Sequence, residues 1–186
     1  MSRAYRISVK ESLSRHVQVE DGVCSTLELL PILAKERMRE LLAAELGQKG
    51  FQRDGTTARR AEGGGVSTEI DLDTGEVSVT AEGHTQLELE AQRTAVVENR
   101  ANPEAEAKLR AIAQGALERE AKAEEEVLRR KVTEQLEGKL RDLKGELDGV
   151  VNKVTATALK QRAAELGTVE EVHEEPNGGL TIKVRV

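Results

Sequence analysis

Apolar and polar residues alternate along the first twenty positions of this chain. Tyr5, Ile7, Val9, Leu13, Val17 and Val19 fall on odd positions, and polar residues fill most even ones. A period of two predicts a half-buried strand. Glu11–Arg15 interrupts the apolar row, which places a hairpin turn or bulge near Ser12–Ser14, and Asp21-Gly22 ends the element. Val23–Leu30 reads as a short strand closed by Pro31. Over residues 34–48 the spacing becomes helical, with Met38, Leu41, Leu42 and Leu46 on one face and Gly47 and Gly50 as the stop.

Alternation then returns. Phe51–Arg53 and Thr57–Ala61 flank Asp54-Gly55, a favoured hairpin pair, and Gly63-Gly64-Gly65 forms a flexible joint. Val66, Thr68, Ile70 and Leu72 alternate with polar residues up to the turn Asp73-Thr74-Gly75. Val77, Val79 and Ala81 carry the pattern back. Leu87, Leu89, Ala91, Ala95 and Val97 suggest one more strand, with a helix start over 86–97 as the alternative.

Asn102-Pro103 marks a boundary, because Asn caps helices and Pro is tolerated at the first helical position. From Glu104 to Leu166 the chain is mostly Ala, Glu, Leu, Lys and Arg, all strong helix formers. An apolar stripe in steps of three and four includes Leu128, Val132, Leu136, Leu140, Leu143 and Leu147. Unbroken, about 60 residues at ~1.5 Å each would reach roughly 90 Å. Gly138, Gly145 and Gly149 lie within this stretch in phase with the stripe, which favours a kink; a reversal near Gly145–Gly149 is the alternative. Gly167 ends the helix. Pro176-Asn177-Gly178-Gly179 then joins Val169 and Val172 to Leu180, Ile182 and Val184 in a last hairpin.

These elements predict an α+β fold: a small antiparallel β-rich base with one short helix and a long inserted helical arm. Its parts would be an N-terminal α+β segment (1–101), the arm (102–167) and a C-terminal hairpin (168–186) that joins the N-terminal sheet. Composition supports an extended molecule. The 186 residues include no Trp, one Tyr and one Phe, so little aromatic area is on hand for a large core, while 33% are charged.

A formal net charge of −6 argues against nucleic acid, which calls for a basic footprint. There is no signal-peptide stretch and no apolar run of membrane length, so a cytoplasmic protein without a membrane partner is expected. Cys24 is the single cysteine, which rules out an internal disulfide and a cysteine-rich metal site. It reads as a small buried residue.

The search for chemistry yields little. His16, His84 and His173 are far apart in sequence. Finding His16 beside His173 with a carboxylate would favour an enzyme. The three-glycine run lacks the frame of a phosphate loop and leads into a strand. Asp71 and Asp73 invite a calcium reading, but their spacing fits a hairpin turn and departs from the twelve-residue calcium loop. We therefore expect no catalytic residue, no cofactor and no metal. The one-sided helical seam, Leu128, Val132, Leu136, Leu140, Leu143 and Leu147, is the candidate interaction surface, to be covered by another copy, a folded-back limb or another protein.

Several stretches together resemble a known family. They are Ser2–Arg6, Glu20–Val23, Leu27–Leu33 before Glu36-Arg37-Met38, Gly50-Phe51 with Arg53–Gly55, Val150–Thr155, Ala158–Lys160 and Leu180–Ile182. The chain resembles accessory proteins of bacterial FtsH ternary systems, gene clusters built from an FtsH-like AAA+ protein, a MoxR-type AAA+ ATPase and a von Willebrand factor A protein. The resemblance implies those partners and a role in biological conflict, and brings no catalytic residue with it. The expected function is a non-enzymatic adaptor or scaffold. A structural homo-oligomer assembled through the helical arm is the alternative.

Overall fold

A computed structural model describes residues 5–98, 102–174 and 179–185. The order of elements is β1 (Tyr5–Thr26), α1 (Lys35–Gln48), β2 (Gln52–Asp54), β3 (Thr57–Gly63), β4 (Val66–Asp71), β5 (Glu76–Val97), α2 (Pro103–Leu166), β6 (Thr168–Glu174) and β7 (Leu180–Arg185). The first five strands form one sheet in the order β1-β5-β4-β3-β2. The fold is α+β, with one long helix and one short one.

Three elements differ from the sequence pattern. β1 passes through Ser12–Ser14 and through Asp21-Gly22 as one 22-residue strand. The expected turn at Gly22 is instead a close approach: a Cβ there would lie 3.2 Å from the Val79 carbonyl oxygen. Glycine thus lets β1 run past β5 where a turn signal suggested an end. β5 is also one 22-residue strand, joining two segments that the sequence pattern separates. Leu27–Leu30 forms no strand. The Leu27 amide donates to the Gly75 carbonyl (2.8 Å) and the Leu29 amide turns back to Leu27 (3.0 Å), so this stretch is a folded loop.

α1 ends where its glycines indicate. The Phe51 amide donates to the Leu46 carbonyl (3.1 Å) and the Gly50 amide to the Gly47 carbonyl (3.1 Å). With Gly50 at φ +84°, this is a Schellman ending, which glycine reaches without a steric cost. It delivers Phe51 to a buried position, and Met38, Leu42 and Leu46 of α1 are buried as well. α2 starts as expected, with the Asn102 side-chain oxygen accepting from the Ala105 amide (3.0 Å). It then continues through Gly138, Gly145 and Gly149 to Leu166, so the reversal considered there does not occur. Side chains at these glycines would meet nothing within 4 Å, which explains why the helix carries them without a packing role.

The last hairpin pairs β6 with β7, Val169 opposite Val184 and Val172 opposite Ile182. Among the described residues these strands make a two-stranded sheet of their own, and no pairing joins them to the N-terminal strands as the sequence pattern suggested. The Asn177-Gly178 turn lies outside the described residues.

Two compact units divide the chain, and they cut across the division at 101 and 167 drawn from the sequence. One comprises Met1–Asp21 with Glu82–Thr133, the other Gly22–Ala81 with Glu134–Val186. In the first, the N-terminal half of α2 lies on β1 and β5. Val17, Val19 and Leu87 gather around Ala121, and Ala91 meets Ala113 and Leu117. Alanines on this helix face let it come close to the strands, and Gly83 takes the approach further: a Cβ there would lie 2.5 Å from Val132 Cγ2. In the second unit, β4 pairs with β5 from Val66 opposite Ala81 to Ile70 opposite Val77, and Ile70, Val77 and Val79 are all buried. The Gly63–Gly65 run is the tight turn between β3 and β4, with φ of +80°, +63° and +81°.

Candidate functional site

A broad concavity lies within the second unit, and its lip begins at a turn. Asp71 accepts hydrogen bonds from the Asp73 amide (2.8 Å) and the Thr74 amide (2.7 Å). These two donors, Thr74 first, hold the Asp71 carboxyl below its ordinary range. The carboxylate thus braces the turn at Asp73-Thr74-Gly75 that the sequence pattern places here. Gly75 closes the turn at φ +74°, where its carbonyl accepts the Leu27 amide and where a Cβ would lie 3.2 Å from the Leu27 oxygen. One short turn therefore fixes the start of the Leu27–Leu30 loop.

That loop forms one wall of a groove of about 1090 Å³. The end of β1 supplies Val23, β5 supplies Val77 and Val79, and α2 supplies Leu140, Leu143, Leu147 and Val151. Polar side chains stand among the lining residues, with Glu28 and Asp148 outnumbering the single Lys144. Leu30 is 59% exposed and Val23 is 41% exposed, so apolar surface reaches the solvent at this lip. Such a volume exceeds what a single small ligand needs and has room for several aliphatic side chains.

A charged network braces the same unit. Arg60 donates through both terminal nitrogens to Glu146 on α2, at 3.1 and 2.7 Å. Its Nε donates to Glu62 (2.7 Å), Nη1 also reaches the Lys49 carbonyl (2.7 Å), and the guanidinium lies 4.3 Å over the Phe51 ring. The bond from Arg60 holds the Glu146 carboxyl below its ordinary value despite partial burial, and the same bond raises Arg60. These groups tie β3 and the end of α1 to α2 and are spent on one another.

The structure places the seam residues against the chain itself. Val132, Leu136, Leu143 and Leu147 are buried, Leu136 to 2% exposure, and Leu128 and Leu140 are half-buried. Leu128 packs on the cluster around Val17 and Leu87. Leu140, Leu143 and Leu147 form the floor of the groove. Within one chain, four of these six side chains are therefore already buried and the other two half-buried, with Leu128 and Val132 lying against Gly83 of β5. Sequence reasoning missed the groove because its other wall is an apolar loop whose fold depends on Gly75, more than forty positions away.

His16 lies beside His84, with ring centroids 6.2 Å apart, on exposed positions of the first unit. His173 belongs to β6 in the second. Cys24 is exposed, with its sulfur 3.7 Å from the Ser78 hydroxyl, and is not the buried residue expected. Among the described residues, no helix is long and apolar enough to cross a membrane.

Across residues 1–186, the whole chain matches a family model described as FtsH ternary system domain X5. No curated protein matches the chain, and no solved structure matches it.

Proposed function

We propose, from the premise that this chain belongs to the FtsH ternary system domain X5 family, that it is a non-enzymatic cytoplasmic adaptor within such a system. In this reading it works by protein–protein interaction, bringing a MoxR-type or FtsH-like AAA+ ATPase together with a von Willebrand factor A protein. The setting is a bacterial conflict (defence) system. Membership of the family makes the chain a component of an FtsH ternary system; the adaptor role is our own reading.

The observation that carries it is the apolar groove between the Leu27–Leu30 loop and α2. Its floor is leucine and valine, which gain from contact with another apolar surface and offer no reacting group. We assign it one occupant: a short apolar segment of a partner in the system, flanked by basic residues. Glu28 and Asp148 against Lys144 leave the lining one negative charge in excess, which favours a basic flank through charge complementarity.

Binding of the purified full chain to each purified partner of its own system tests the reading, with Leu30→Asp as the variant. Leu30 is exposed, so the substitution should leave folding intact while placing a charge at the apolar lip. Loss of roughly tenfold or more in affinity for one partner supports the adaptor role. Absence of binding to every ATPase and to the von Willebrand factor A protein overturns it.

A further inference from the structure

We propose that two copies of this chain join edge to edge through β1, antiparallel, with the two-fold axis passing through Leu13. The observations come from the first compact unit alone and do not depend on the groove.

β1 is an edge of the five-stranded sheet. Its inner side meets β5 in a single register, shown by Ser8 with Gln92 (3.0 Å), Lys10 with Glu90 (2.8 Å), Ser14 with Gln86 (3.0 Å) and His16 beside His84. Among the described residues, no strand pairs with its outer side. Long edges are usually blunted by proline, a bulge or a covering segment. Tyr5–Asp21 contains neither proline nor glycine and alternates without a break between inward and exposed positions. Such an edge is a template for another strand.

The sequence of the edge names the strand that fits. Antiparallel pairing about Leu13 sets Ile7 opposite Val19, Val9 opposite Val17 and Leu13 opposite itself. On the same register Arg6 meets Glu20, Glu11 meets Arg15, Ser8 meets Gln18 and Ser12 meets Ser14. Apolar residues meet apolar ones and two opposite-charge pairs form, each twice by symmetry. Between Arg6 and Glu20 only Lys10 opposite His16 lacks complementarity, and at the ends of the edge Tyr5 meets Asp21 without a match. Moving the axis to Ser12 sets Glu11 against Leu13 and Val9 against Arg15. Moving it to Ser14 sets Leu13 against Arg15 and Glu11 against Val17. A strand that read a foreign partner would have no reason to be its own complement in one register and not in the adjacent ones.

The helix permits this approach. In the first unit α2 rests on β1 and β5 together. Strands about 4.8 Å apart would bring the two helices alongside at roughly 10 Å, the upper end of ordinary helix packing. Arg110, Gln114 and Glu118, which reach over β1 to Glu11 and Arg15, would line that boundary with polar side chains.

Sedimentation equilibrium of the full chain tests the pairing through a charge exchange. Arg6 and Glu20 are exposed, so Arg6→Glu and Glu20→Arg should each leave the circular dichroism unchanged. Each should weaken the dimer roughly tenfold, because each creates two like-charge pairs across the axis. The double variant Arg6→Glu/Glu20→Arg should return to within about twofold of the parent. Rescue supports the proposal, since within one copy these residues are fourteen positions apart on the same strand. A chain that stays monomeric at about 1 mM overturns it, because dimerisation that weak lies beyond a Kd that protein pairs use. A dimer indifferent to the single exchanges, or one the double exchange does not restore, overturns it as well.

Discussion

Arg60 and Glu146 meet across 86 residues of sequence through a two-pronged hydrogen bond, with Nη1–Oε1 at 3.1 Å and Nη2–Oε2 at 2.7 Å. Both side chains are largely covered, at 17% and 26% exposure. A guanidinium fork matches a carboxylate in a way a lysine ammonium cannot. Glu146→Gln should therefore cost about 2 kcal/mol in chemical denaturation. Arg60→Ala should cost more, because it also strands Glu62 and uncovers Phe51. Arg60→Lys should recover less than half of that loss. Equal stability of the lysine variant and the parent would show the fork to be unimportant.

The same pair sets an acid dependence. The Glu146 carboxyl is held below its ordinary value by Arg60, and the Asp71 carboxyl is held low by the Thr74 and Asp73 amides. A carboxyl depressed on folding binds its proton more readily when unfolded. Its stabilisation is full above the unfolded value and is lost as pH falls through the folded value. Stability should thus be level near neutrality and decline below about pH 4.5, the ordinary glutamate value. In Glu146→Gln that decline should be shallower. Denaturant midpoints measured across this range check the sign, and a steeper decline in the variant would contradict it.

The local signals were legible in the sequence, and the non-local ones were not. Asn102 caps α2, Gly50 ends α1 and Asp71 to Gly75 turn the chain, each because a single residue type satisfies nearby backbone groups. Asp21-Gly22 misled for the same reason. Its glycine answers to the Val79 carbonyl, a distant neighbour that no local pattern reveals. The helical stripe was visible, but not what covers it. An apolar seam asks for a cover, and only the fold shows that Val17 and Leu87 provide it around Ala121 and Leu128. Leu27–Leu30 has strand composition and becomes a groove wall because its first amide is taken by Gly75.

Gly83 measures how closely α2 sits on β5 in the first unit. Any Cβ at this position would meet Val132 Cγ2 at 2.5 Å and Leu128 Cδ1 at 3.1 Å. Gly83→Ala should be destabilising although alanine suits a strand better than glycine, and Gly83→Val should be worse, by about 1–3 kcal/mol of overpacking. Pairing Gly83→Ala with Val132→Ala should recover part of the loss, since the two changes share one contact. Urea midpoints of the three variants check this. Strictly additive losses would mean that the helix does not press on Gly83.

Gly145 and Gly149 present the opposite case. Both lie inside α2 on exposed positions, and a Cβ at either would meet nothing within 4 Å. Neither has the positive φ that glycine alone reaches easily. With helical backbone and open space, alanine removes freedom from the unfolded chain and adds no clash. Each substitution should stabilise by about 0.4–1 kcal/mol, and the pair by nearly the sum. Thermal unfolding should shift upward by a few degrees for the double variant. Hydrogen exchange of the amides around 145–149 should slow most, because the gain is local to this part of the helix. A double variant that unfolds earlier would mean that these glycines serve a bend in α2, and that the helix in solution departs there from a continuous ladder of hydrogen bonds.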